Sequence, residues 1–134
     1  MPIEVVQAII LRGDPGLERV LVVKERGVRS RKLPGGTVNS GEDYITALQR
    51  ELSEELSGVE IIRIHPKPQI EEKYVKKLGD TLRMRRYRVD ISERSNPRPN
   101  NQYGEINWVG WMDKRDAEKR GFYYTLSPRK RYGR

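Results

Sequence analysis

Runs of apolar residues at Ile3–Leu11 and Arg19–Lys24 read as two strands, and Gly13-Asp14-Pro15-Gly16 between them reads as a turn. The period then changes. Ile45, Leu48, Leu52 and Leu56 recur at helical spacing and predict one amphipathic helix over about 43–57. Asp43 is the expected N-cap, since its side chain can accept from backbone N–H groups of the first turn. Downstream, Val59–Ile64 is a short β-branched run, and Lys73–Lys77 and Thr81–Ile91 read as a hairpin around Gly79-Asp80. Glu105–Trp111 reads as another strand, and Asp113–Arg120 as a short helix capped by Asp113. Ser92–Gly104 carries prolines and asparagines that predict a loop without regular structure. Strands before and after a central helix give an α/β class with a mixed sheet.

The polar side of the central helix is the informative one. Glu51, Glu54 and Glu55 fall within five residues, at i, i+3 and i+4. That spacing puts them on one face, where like charges repel by roughly 0.2–0.5 kcal/mol per pair. A bound cation removes the repulsion, and hard divalent cations such as Mg²⁺ take oxygen ligands, often carboxylates together with substrate phosphate. Glutamate-rich faces are most often merely solvated, so the residues around these three decide the matter. Gly36 is followed by five residues and Glu42; seven more lead to Arg50-Glu51-Leu52-Ser53-Glu54-Glu55. This resembles the Nudix box, G-x5-E-x7-R-E-U-x-E-E-x-G-U with U a bulky aliphatic, over residues 36–59. Seven fixed positions match at full spacing, and Leu33-Pro34-Gly35-Gly36 and Gly41-Glu42 are similar to the family's flanks. The box departs at its end, where Ser57 stands for glycine and Gly58 for an aliphatic. Gly58 is expected to end the helix as its left-handed C′ residue.

The resemblance implies a MutT-like Nudix hydrolase with an α/β/α sandwich fold. It implies a metal held by Glu51, Glu54, Glu55 and the Gly35 carbonyl, Mg²⁺ with Mn²⁺ able to substitute, and an Arg50 that orients a metal-binding glutamate. It implies an extra acid from the region of Glu105, as metal ligand or general base, and a tyrosine near Tyr74 like that of dinucleoside polyphosphate hydrolases. The catalytic candidates are therefore Glu51, Glu54, Arg50 and Glu105. Arg94 and Arg98, on the Ser92–Gly104 segment, are candidates for binding substrate phosphates, with the segment itself closing as a flap. The only histidine, His65, sits on an apolar strand pattern before Pro66 and reads as structural.

Composition narrows the classes. At 134 residues the chain fits one domain, residues 1–126, followed by a basic tail over 127–134 that reads as flexible. The absence of cysteine excludes a disulfide scaffold and fits a reducing, cytoplasmic compartment; with one histidine it argues against a zinc or thiolate site. No signal peptide is read at the N-terminus, and no apolar run approaches the ~20 residues of a membrane span. Twenty-seven Lys and Arg against nineteen Asp and Glu give a net charge of +8, a field that favours polyanions. The expected partner is a phosphorylated small molecule, a nucleotide first; RNA also qualifies, either as a 5′-end substrate or as the ligand of a non-catalytic Nudix-fold module. The resemblance admits a homodimer.

Overall fold

A computed structural model describes residues 2–126. The expected basic tail at 127–134 lies outside the described residues. The elements run β1 (Ile3–Ile9), β2 (Leu11–Arg12), β3 (Arg19–Glu25), β4 (Gly35–Thr37), α1 (Tyr44–Glu55), β5 (Leu56–Ser57), β6 (Ile61–Ile64), β7 (Gln69–Val75), β8 (Asp80–Ile91), β9 (Arg98–Pro99), β10 (Ile106–Asp113) and α2 (Lys114–Lys119).

β8, the longest strand, anchors a five-stranded mixed sheet in the order β4-β1-β8-β6, with β7 also paired to β8. β1 runs parallel to β8, Ile3 against Leu82 through Ile9 against Arg88. The other pairings in this sheet are antiparallel. β6 and β7 share one side of β8, opposite its two ends, with His65-Pro66 at the break between them. A second sheet, β10-β3-β2, is entered directly from the first, because the chain continues from β1 into β2 through Ile10.

Alternation along the strands divides the core in two. Val6, Ala8, Leu21, Val23, Tyr87 and Val89 face α1 and meet its Ala47, Leu48 and Leu52. Ile9, Val20, Val22, Leu33 and Met112 face the other way, toward Ala117 of α2 and Tyr123. Each fully buried leucine contributes about 2 kcal/mol, so the stripe predicted by the helical period is what fixes α1 to the sheet. Both predicted caps are present: Asp43 Oδ1 accepts from Thr46 N at 2.8 Å, and Asp113 Oδ1 accepts from Arg115 N at 2.9 Å. Among the described residues no helix is long and apolar enough to cross a membrane.

Two expectations need correction. The helix ends at Glu55, not Ser57, and Gly58 is not its C′ residue. Leu56 is already extended (φ −121°, ψ 140°) because Leu56 and Ser57 pair with β9. Gly58 does take a left-handed φ of +74°, but it turns the chain after β5, where a side chain would collide with the Asn96 carbonyl. The box's Ser57 thus stands in a strand, where glycine has no advantage. Nor is Ser92–Gly104 an irregular flap. Arg98–Pro99 is a strand. Asn100 N donates to Glu55 O (3.0 Å) and its Nδ2 to Ser53 O (2.8 Å), capping the C-terminal carbonyls of α1. Arg12 donates to the carbonyls of Ser92 and Ser95. The segment as far as Asn100 is therefore fastened to the helix end, and Asn101, Gln102 and Tyr103 form its exposed turn.

Candidate active site

The helix delivers its acids to the edge strand β4. Glu51 and Glu55 lie on the buried side of α1, 8% and 3% exposed, and Glu54 beside them is half-buried. Gly36 is required by Glu51, since a Cβ there would lie 2.5 Å from the carboxylate carbon. Gly35 N donates to Glu55 Oε1 at 2.9 Å. The two glycines thus admit the carboxylates against the backbone of β4.

Arg50 organises the rest. Its Nε and Nη2 donate to the two oxygens of Glu42 at 2.8 and 3.0 Å, a bidentate pair. Nη1 donates to Glu51 at 3.0 Å and, more weakly, to Glu54 at 3.4 Å. Nη2 also reaches the Thr37 carbonyl at 3.0 Å, joining helix and strand. The hydrogen bond to Arg50 draws the Glu42 carboxyl below its ordinary range. Burial has the opposite effect at Glu51, raising its pKa although Arg50 opposes the shift. Glu55 is pushed up to about 7, chiefly by burial, with Lys32 and the Gly35 N–H pulling against it.

Lys32 is the residue that sequence reasoning missed. Its Nζ sits 3.1 Å from the Gly35 carbonyl, 3.7 Å from Glu55 and 2.7 Å from Glu25. Burial disfavours its charge, but Glu55 and Glu25 outweigh that and raise its pKa. The available signal was a basic residue immediately before Leu33-Pro34-Gly35. Glu42 was legible as a fixed box position, though its pairing with Arg50 was not.

The donor chemistry suits a hard divalent cation: three carboxylates and a carbonyl, with the Lys32 ammonium already drawn to two of them. These groups are not preassembled around a common point. Among the described residues no three acidic or imidazole groups are drawn together as a metal cage. Glu51 and Glu54 are engaged by Arg50, and Glu55 by Gly35 and Lys32.

Among the described residues no side-chain hydrogen bond or ion pair joins the other candidates to this cluster. Glu105 is exposed, and its carbonyl accepts from Arg26 N at 2.8 Å. Arg94 is exposed in the turn after Ser92, and its N donates to Ser92 Oγ. Arg98, on β9, lies against Gly58 beyond the end of α1. Tyr74 is 65% exposed on β7, opposite Thr81. His65 Nε2 lies 2.8 Å from Asp90 Oδ2, in line with its structural reading.

A family model described as NUDIX domain matches residues 1–129. The MutT NUDIX hydrolase of Burkholderia pseudomallei superposes with a TM-score of 0.67 at 24% identity, over 84% of each chain. A C. elegans Ap4A hydrolase superposes at 0.69 with 20% identity, over 90% of this chain and 87% of that one. These two likenesses establish the fold. The E. coli ORF135 protein gives 0.64 at 26% identity, over 87% of this chain and 77% of its own. No curated protein matches the chain.

Proposed function

The chain belongs to the NUDIX family, hydrolases that act on pyrophosphate bonds, and from that premise we propose that it is a Mg²⁺-dependent pyrophosphohydrolase of a nucleoside-diphosphate-linked substrate. Nucleoside triphosphates, dinucleoside polyphosphates and ADP-ribose-like compounds are the substrate classes. The observation that carries this reading is Glu51 against Gly36 and Glu55 against Gly35, with Arg50 joining Glu51 to Glu54.

In this reading Glu51, Glu54, Glu55 and the Gly35 carbonyl hold the metal, and Mn²⁺ can replace Mg²⁺. The bound ion supplies neutralisation of anhydride charge and a lowered pKa for the attacking water. Arg50 restrains Glu51 and Glu54 and limits the positions their carboxylates can take. A carboxylate accepts the water's proton; the candidates are Glu51, Glu54 and Glu105. Lys32, held at the Gly35 carbonyl and Glu55, would compete with a metal for these two oxygen groups. Arg94 and Arg98 grip outlying phosphates, and Tyr74 offers a stacking face for a base. Residues 1–126 act as a single domain.

The test is a hydrolysis panel with Mg²⁺ or Mn²⁺ over these substrates and 5′-triphosphorylated RNA, in a cytoplasm-like buffer. Metal-dependent release of phosphate, pyrophosphate or a nucleotide is expected. Release undiminished in EDTA, or none from any substrate, overturns the proposal. Glu105→Gln should shift the pH–rate profile if Glu105 is the base, and Arg98→Ala should raise KM with kcat unchanged.

A further inference from the structure

On the face of the five-stranded sheet turned away from α1 there is a cavity of about 390 Å³, within the range of small-molecule sites. Five basic side chains line it: Arg63, His65, Lys67, Arg86 and Arg88. The register explains their convergence. Arg86 and Arg88 alternate with Arg85, Tyr87 and Val89, which face α1, so both project to the opposite side. Arg63 opposes Asp90 across the β6–β8 ladder, and His65 N donates to Arg88 O, which brings both onto that same face.

Two of the five have acidic partners: His65 meets Asp90 at 2.8 Å, and Arg86 meets Glu71 at 2.8 Å. Among the described residues Arg63, Lys67 and Arg88 have none. Three unpaired cations around one concavity repel each other, and an anion entering it relieves that repulsion. The floor is preformed: Arg86 is 5% exposed and also donates to Gln7 Oε1 at 3.0 Å. Ile9 and Leu126 add an apolar flank.

The cavity is not the carboxylate site. None of Gly35, Glu51, Glu54 or Glu55 lines it. Gln69, Arg86, Gln7 and Gly35 form one row across β7, β8, β1 and β4, so Arg86 lies two strand spacings, about 10 Å, from Gly35. Over the Gln69 end of that row the C-terminal segment is clamped, with Gln69 bonded to both N and O of Tyr124.

We propose that this cavity is a second anion site, separate from the carboxylate helix, that binds the phosphate group of a small molecule. It stands without the hydrolase reading, because its test needs no metal. Backbone-amide NMR in EDTA at low salt follows titrations with inorganic phosphate and with AMP, each carrying one phosphate group. Saturable shifts are expected at residues 63–69 and 86–88. Arg63→Gln with Arg88→Gln should weaken binding by about tenfold or more, and Glu54→Gln should leave it unchanged. Should the double variant lose stability, Arg63→Lys with Arg88→Lys keeps the charge and should retain most of the binding. Tighter binding of AMP than of phosphate identifies a nucleotide as the source; equal binding identifies free phosphate. Shifts that do not saturate, that fall elsewhere, or that are the same in the double glutamine variant overturn the proposal.

Discussion

At the edge where α1 meets β4, the carboxylates of Glu42, Glu51, Glu54 and Glu55 each have a cation of the protein beside them, Arg50 or Lys32. Across the sheet, three of the four Arg and Lys side chains around the cavity have no ion-pair carboxylate among the described residues. The two regions carry opposite charge, and their charges are engaged differently. The acidic edge has a protein cation at every carboxylate, two cations among four acids, so a metal there would compete with Lys32 and Arg50. The basic cavity has counter-charge for only part of its lining, so an anion there would enter by addition. Competition with the protein's own cations would make metal binding a local rearrangement, whereas addition would make affinity depend strongly on salt.

The largest expected effect tests the acidic edge. Glu54→Gln nearly keeps the shape and removes one charge. Turnover should fall on the order of a hundredfold, as for the loss of one electrostatic group at a reacting centre, while circular dichroism stays unchanged. Normal turnover would mean that competition at this edge has nothing to do with the chemistry.

Next comes stability on the basic face, where the comparison predicts a difference between neighbours two residues apart. Arg86 is buried and paired, so Arg86→Met leaves Glu71 and Gln7 without their partner and should cost about 2 kcal/mol. Arg88 is only half-buried and unpaired among the described residues. Arg88→Gln should change stability by no more than about 0.5 kcal/mol, or raise it slightly by relieving repulsion. Urea titrations decide this, and equal losses at the two positions would erase the distinction.

Smaller again is the fastening of the acidic helix. Asn100→Ala removes a side-chain cap from the Ser53 carbonyl and should cost about 1 kcal/mol, seen as faster amide exchange in the last turn of α1. At the other end, Asp43 is held below its usual pKa chiefly by the Thr46 N–H. A depressed carboxyl contributes stability above its unfolded value and loses it as pH falls through the folded one. Asp43→Ala should therefore lower Tm by a few degrees at pH 7 and by much less near pH 2. A loss independent of pH would show that the charge of Asp43 is irrelevant to the cap.

The acidic edge was legible in the sequence and the basic cavity was not, for a physical reason. Arg50, Glu51, Glu54 and Glu55 lie within one and a half turns of a single helix, so local spacing alone places them together. Gly35 and Gly36 reach them through a short connection. Arg63, Lys67, Arg86 and Arg88 meet only through the β6–β8 and β7–β8 pairings, and register between strands is set by the packing of whole faces. The end of α1 was misread for a related reason. Gly58 reads as a local stop signal, but the stop is imposed by β9, some forty residues downstream. Lys32 was overlooked because its role depends on β4 lying beside the helix.

The grip of Gln69 on Tyr124 makes these two positions unequal in the substitutions that would preserve it. Gln69 contacts only the main chain of residue 124, accepting from N at 2.7 Å and donating to O at 2.8 Å, as a strand neighbour would. Every residue type except proline presents that same N–H and carbonyl, and the Tyr124 side chain is itself exposed. Position 124 can therefore drift widely while the contact persists. Position 69 cannot, because a carboxylate lacks the donor, an ammonium lacks the acceptor, and asparagine is one methylene short.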